Sequence, residues 1–242
     1  KLEQAFAPDI ESGEIASAVL GYIFDYVVKN KLPDLIIKKS QRFDQRPFDQ
    51  VRPISLEVGL LPRVHGSCVF TRGETQALAS ITLGTAQDAQ KFDTLLGDTQ
   101  ERSFMLHYNF LPFSTGEARF MRAVSRREIG HGYLAESSFT HVLPSQEKFP
   151  YTVRSVVDIL ESNGSSSMAT VCATTMALMD CGVPIKEMVS GIAMGLLKDS
   201  QGNYKVLTDI LGLEAAFGLM DVMVTGTRSG ILAFQLDIKD KV

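Results

Sequence analysis

Tyr151-Thr152-Val153-Arg154-Ser155-Val156-Val157-Asp158-Ile159-Leu160, followed directly by Glu161-Ser162-Asn163-Gly164-Ser165-Ser166-Ser167-Met168, is the stretch whose reading decides the fold. Its first half is rich in β-branched residues and long enough for one strand, and Asn163-Gly164 is a turn signal. The Ala- and Met-rich run from Ser166 to Met179 reads as a buried helix ended by Asp180-Cys181-Gly182. A helix start presents unpaired N–H groups and the positive end of the helix dipole, and Ser165, Ser166 and Ser167 add hydroxyl donors, so a phosphate would be well held there. Serine is also a preferred N-cap, and taken alone capping is the commoner reason for such a residue. At this level both readings stay open.

Working outward, a period of two dominates. Ile54, Leu56, Val58 and Leu60 alternate with Ser55, Glu57 and Gly59, and strands over Cys68 to Thr71 and Thr75 to Leu83 flank the turn Arg72-Gly73-Glu74. Ser125-Arg126-Arg127-Glu128 has the form of a capping box and predicts a helix from Arg126 to His141. Downstream, strands fit Ser190 to Leu197, Tyr204 to Leu211, Met220 to Val224 and Gly230 to Ile238. Upstream, Ile15, Val19, Tyr22, Ile23, Tyr26 and Val27 form an apolar stripe on a helix over Ser12 to Asn30, which Asn30-Lys31-Leu32-Pro33 is expected to end. The polar, arginine-bearing stretch Ile37 to Pro53 reads as a linker. The class is α+β with mixed sheets, divided into a helical linker segment over 1–40 and a core domain over 41–242.

With 45% hydrophobic residues in 242, the chain can bury a real core, and 24 Lys+Arg against 28 Asp+Glu exclude a globally basic nucleic-acid binder. Any polyanion must meet a local patch. Arg126 and Arg127 with His131 one turn later, and Arg119 and Arg122 upstream, make one. Arg127 and His131 are four apart and share a helix face. The bland alternative is a solvated helix start, but arginines near the positive dipole end gain little there, which favours a function. No apolar run approaches the roughly 18 residues of a membrane span, so no membrane partner is expected. Cys68, Cys172 and Cys181 lack metal-like spacing, and an odd count in apolar surroundings points to reduced, buried thiols.

Several motifs then converge. Leu60-Leu61-Pro62-Arg63-Val64-His65-Gly66-Ser67, Phe70-Thr71-Arg72-Gly73-Glu74-Thr75-Gln76-Ala77-Leu78, Met105-Leu106-His107-Tyr108-Asn109-Phe110, Arg126-Arg127-Glu128-Ile129-Gly130-His131-Gly132 and Glu161 through Ala169 closely resemble the polynucleotide phosphorylase family. The resemblance is to the second of its two RNase PH-like core domains, runs from Arg42 to Lys239, and likens the preceding residues to the helical segment that joins the two cores. It implies an RNase PH-like fold of mixed sheets with helices, similar to ribosomal protein S5 domain 2. It also implies phosphorolysis of RNA from the 3′ end by inorganic phosphate, in assemblies that close into rings with other protein chains. Ser165, Ser166 and Ser167 match the family's phosphate-binding loop, and Arg126, Arg127 and His131 match its RNA-contacting residues.

The resemblance breaks after Asp209-Ile210-Leu211-Gly212. Family members carry acidic residues and a lysine there that bind Mg²⁺ or Mn²⁺ and stabilise charge, whereas this chain has Ala215, Leu219 and Met223 at those positions. Only Asp221 remains as a catalytic and metal-binding candidate, and Glu214, if on a strand, would face away. The Asp-Gly-Arg signature reads Asp44-Gln45-Arg46, and the Gly-Glu-Thr-Gly loop reads Gly116-Glu117-Ala118-Arg119. The expectation is therefore an RNA-binding or scaffold subunit of a larger assembly, with an active 3′→5′ phosphorolytic exoribonuclease as the alternative. A mitochondrion or plastid is the expected compartment, a bacterial cytoplasm the alternative. In the final strand Leu232, Phe234, Leu236 and Ile238 form an apolar face that must be covered by a partner chain or a further segment, and in a monomer the apolar stripe of the N-terminal helix is the remaining candidate.

Overall fold

The computed structural model of the protein describes residues 2–13, 16–93, 97–121 and 123–239. Ile15 and Arg122 lie outside these residues. Three helices come first, α1 (Leu2–Ala5), α2 (Ala7–Glu11) and α3 (Ser17–Lys39). The chain continues through β1 (Ile54–Val58), β2 (Gly66–Arg72), β3 (Thr75–Gly84), β4 (Gln90–Asp93), β5 (Thr99–Arg102), β6 (Phe104–Phe110), α4 (Arg126–Ser137) and β7 (Thr152–Glu161). It closes with α5 (Ser166–Asp180), β8 (Ser190–Lys198), β9 (Tyr204–Thr208), α6 (Gly212–Phe217), β10 (Met220–Thr227) and β11 (Gly230–Ile238).

One sheet has the order β1-β2-β3-β7-β6, antiparallel except for the parallel pair β6 and β7, and a second has the order β11-β10-β8-β9. The helix α5 lies between them, packed on β2, β3 and β7 of the first and on β8 and β10 of the second. A helix sandwiched in this way must be apolar all round, and Met168, Ala169, Val171, Ala173, Ala177 and Leu178 are fully buried on it. Its approach to β2 is close. A Cβ on Gly66 would stand 2.4 Å from the Ala177 carbonyl oxygen, so the backbone contact there depends on glycine.

Several expectations are corrected. Pro33 does not end the first long helix, because α3 continues to Lys39 and stops where Ser40 takes a left-handed conformation at φ 50°. Packing overrides the proline's missing donor: Ile36 is buried, and the Asp34 carboxylate accepts a hydrogen bond from the Ser200 N–H at 2.7 Å. The stretch before β1 is no free linker either, since Arg42, Arg46 and Arg52 are all buried. Arg42 binds both carboxylate oxygens of Glu214, at 2.9 and 2.5 Å, which fastens this segment to α6. Residues 212–217 are helical rather than extended, and Glu214 is spent on Arg42. The hairpin β4–β5 carries no clear alternation; the strand β6 does, with Leu106, Tyr108 and Phe110 alternating with His107 and Asn109, and is an addition to the strands that the period-two reading names. The helix expected to reach His141 ends at Ser137, and the strand expected to reach Leu211 ends at Thr208, where Asp209 turns the chain at φ 53°. None of the three cysteines forms a disulfide, and burial pushes the Cys68 thiol up to about 11.

Candidate anion-binding site

The loop from Asn163 to Ser165 is shaped from behind by arginines. Asp209, fully buried, receives Arg52 through its backbone N–H (2.9 Å) and guanidinium (2.8 Å on each carboxylate oxygen), and Arg72 pairs with it at 2.7 Å. Burial alone would raise the Asp209 pKa, but the hydrogen bonds from Arg52 and the charge of Arg72 hold it below the usual carboxylate range. The same two arginines then reach forward. Arg52 donates to the Asn163 carbonyl at 2.8 Å, and Arg72 to those of Gly164 and Ser165 at 3.2 and 3.0 Å. Gly164 sits at φ 92° with the Ile210 carbonyl only 2.6 Å from where a Cβ would be, so no other residue fits this turn without movement.

The three serines end up in different places. Ser165 stands at the N-cap of α5 in a left-handed conformation, φ 56°, and its side chain makes no capping bond. Its hydroxyl oxygen is buried without a hydrogen-bond partner among the described residues. Ser166 is buried and shares a 2.8 Å hydrogen bond with the Tyr108 hydroxyl, and the Ser167 hydroxyl donates to the Met223 sulfur at 3.1 Å. Of the three hydroxyls, only that of Ser165 is left for a ligand.

Ser165 lines a cavity of about 610 Å³ whose lining also includes Arg127 and His131 of α4 and Asp221, Met223, Asp237 and Lys239 on or beside the second sheet. The expected capping box forms, with the Ser125 Oγ accepting from the Glu128 N–H (3.2 Å) and Glu128 accepting from the Ser125 N–H (2.7 Å), and it fixes where α4 begins. Arg127 lies over the Phe110 ring at 5.6 Å and makes no ion pair among the described residues, so its charge remains for a ligand. Arg126 is exposed and does not line the cavity, while Arg119 does, paired with Glu117 at 2.9 Å. His131 packs against Tyr108, with ring centroids 5.7 Å apart, and its Nδ1 is buried without a partner. Burial and then the neighbouring Arg127 push its pKa down to about 4, so the imidazole is neutral at pH 7. A neutral histidine, an unpartnered serine hydroxyl and a free arginine facing one cavity suit an oxyanion.

The remaining wall is acidic and basic at once. Asp221 on β10 and Asp237 on β11 are register partners, and the Lys239 ammonium pairs with Asp221, with the Ala215 carbonyl, and with Asp237 at 3.7 Å. Asp221 is a candidate on sequence alone, and Lys239 is an addition from the structure. Lys239 keeps the parity of Gln235 and Asp237 along the strand, which was the available signal. A divalent ion needs several converging oxygens. Among the described residues no group of three or more His, Cys, Asp or Glu side chains could hold one. Ala215 offers no side-chain oxygen, Leu219 does not line the cavity, and the ammonium already takes Asp221, so the residues as arranged do not fit a divalent ion.

A helix sandwiched between a five- and a four-stranded sheet, with a polar cavity at its N-terminus, defines an RNase PH-like core. The family model described as 3′ exoribonuclease family, domain 1 (RNase PH) matches residues 50–184, and the chain belongs to that family. Within it, the chain is a polynucleotide phosphorylase-like core domain. A polyribonucleotide nucleotidyltransferase of Thermodesulfovibrio yellowstonii is 57% identical over 239 residues, 99% of this chain and 32% of the relative. Those of Chlorobium phaeobacteroides (59% over 213 residues, 88% of this chain and 29% of the relative) and Thermotoga neapolitana (53% over 237 residues, 98% and 33%) are similar. The chain thus spans about a third of the length of these relatives. In fold it is similar to rice (Oryza sativa) Rrp46, with a TM-score of 0.66 at 18% identity over 83% of this chain and 87% of that one.

Proposed function

We propose that this core binds the 3′ end of RNA together with inorganic phosphate in the cavity between Ser165 and Arg127 and carries out phosphorolysis. A phosphate oxygen attacks the terminal phosphodiester, a new P–O bond forms, the P–O3′ bond breaks, and the departing 3′ oxygen takes up a proton. The product is a nucleoside diphosphate and an RNA shorter by one residue. The observation that carries this reading is the buried Ser165 hydroxyl, which neither caps its helix nor meets any other group and is explained by an oxyanion. Identity of 53–59% to enzymes named polyribonucleotide nucleotidyltransferase supports turnover over mere binding.

A second reading, an RNA-holding scaffold core, is favoured by Ala215 and Met223, which leave the lining around Asp221 short of charge. Incubating the protein with poly(A) and phosphate and measuring nucleoside diphosphate release decides between them. Turnover that needs phosphate and is lost in Arg127→Ala supports the enzyme. RNA retention without release supports the scaffold. Arg126→Ala is expected to change RNA affinity less than Arg127→Ala, because only Arg127 lines the cavity. Equal effects would remove the cavity from the RNA path.

A further inference from the structure

We infer that the Lys239 ammonium is the resident cation of this cavity: it fills the cradle between Asp221 and Asp237, so that a phosphate group binds here without a divalent ion. The inference rests on the reading of the cavity as a phosphate site. Lys239 lies just past the end of β11, in register with the carboxylates it meets, because residues two apart on a strand share a face. An ammonium has three N–H donors. Two go to the Asp221 carboxylate and the Ala215 carbonyl. The third has only Asp237, at 3.7 Å, beyond hydrogen-bond range, and remains for a ligand oxygen.

Charge points the same way. Asp221 and Asp237 line the same cavity as Ser165 and, left bare, would repel a phosphate. A cation tethered by the chain offsets them at a fixed position, and its effective concentration at the cradle, on the order of millimolar or more, competes with a free ion. Magnesium would need near-octahedral oxygens at about 2.0–2.1 Å. Ala215 supplies only a methyl group and Met223 a thioether to that lining instead.

The test is calorimetric titration of inorganic phosphate into the protein in EDTA and in Mg²⁺, paired with Mn²⁺ binding followed by electron paramagnetic resonance, for the unchanged protein, Lys239→Met and Lys239→Arg. Phosphate affinity is expected to be equal within about twofold with and without Mg²⁺, to fall about tenfold in Lys239→Met, and to be largely kept in Lys239→Arg. Mn²⁺ is expected to bind Lys239→Met, whose carboxylates are released, and not the unchanged protein. A phosphate affinity that depends on Mg²⁺, or Mn²⁺ binding that is the same in both proteins, whether present or absent, would overturn the inference. If phosphate binds under no condition, the phosphate-site reading fails, while the Mn²⁺ comparison still decides whether Lys239 holds the cation position.

Discussion

Replacing Ser165 by alanine removes a hydroxyl with no partner, whereas the same change at Ser166 strips a buried bond from the Tyr108 hydroxyl. Ser165→Ala is therefore expected to leave stability within about 0.5 kcal/mol while weakening phosphate binding. Ser166→Ala is expected to cost about 1–3 kcal/mol, read from denaturant unfolding. The reverse ranking would mean that Ser166 is the ligand contact. His131 gives a pH signature at the same scale. Its pKa is about 4 when folded against about 6.5 when unfolded, so the unfolded chain binds more protons between these values. Stability from this group is complete above pH 6.5 and falls as pH drops toward 4, by about 2 kcal/mol between pH 7 and 5. Phosphate beside the ring favours the imidazolium, so adding phosphate should raise the pKa followed by NMR. No change on saturation would separate His131 from the anion. Gln45, which stands where the family signature has glycine, still takes the left-handed conformation of that turn, φ 67°, which costs a non-glycine residue about 1 kcal/mol.

Among elements, the polar segment before β1 and the turn after β9 act as one clamp. Arg46, Arg52 and Arg72 converge on the Asp209 carboxylate, and two of them also hold the loop that positions Ser165. Asp209→Asn would leave buried Arg52 and Arg72 without a carboxylate partner, Arg46 keeping Asp44, and is expected to cost about 3–5 kcal/mol and to loosen the serine loop. Because the Asp209 pKa lies below its unfolded value, its contribution is present above pH 4 and lost as pH falls through the folded value. A melting temperature for Asp209→Asn close to that of the unchanged protein would mean that the clamp adds nothing. Elements with strong local signals were legible: the capping box of α4, the turn before α5 and the strands β2 and β3 sit where pattern placed them, whereas the alternation of Ile54, Leu56 and Val58 gives a strand whose residues are all exposed. The element α6 was not, because Glu214-Ala215-Ala216 is short and its helical form depends on Arg42, which is distant in sequence.

At the scale of the molecule, apolar surface remains uncovered. Phe234 is 68% and Ile238 57% exposed on β11, and the α3 residues Val19, Ile23 and Val27 are exposed as well, so the stripe of the N-terminal helix does not cover this face. The expected outcome is concentration-dependent self-association of the 242-residue chain by light scattering, reduced by Phe234→Lys. A monodisperse monomer at every concentration would show that water tolerates this face. Among the described residues no helix is long and apolar enough to cross a membrane.

The sequence by itself determined the strand–turn–helix around Ser165, the α+β class and the arginine and serine patches, because periodicity, turn residues and caps act over a few neighbours. Only the tertiary structure decided which serine is free, that Arg126 stays outside the cavity while Arg127 enters it, that the supposed linker is a buried clamp, and that Lys239 meets Asp221. Each depends on residues far apart in the chain, where burial and charge pairing across sheets outweigh local preference.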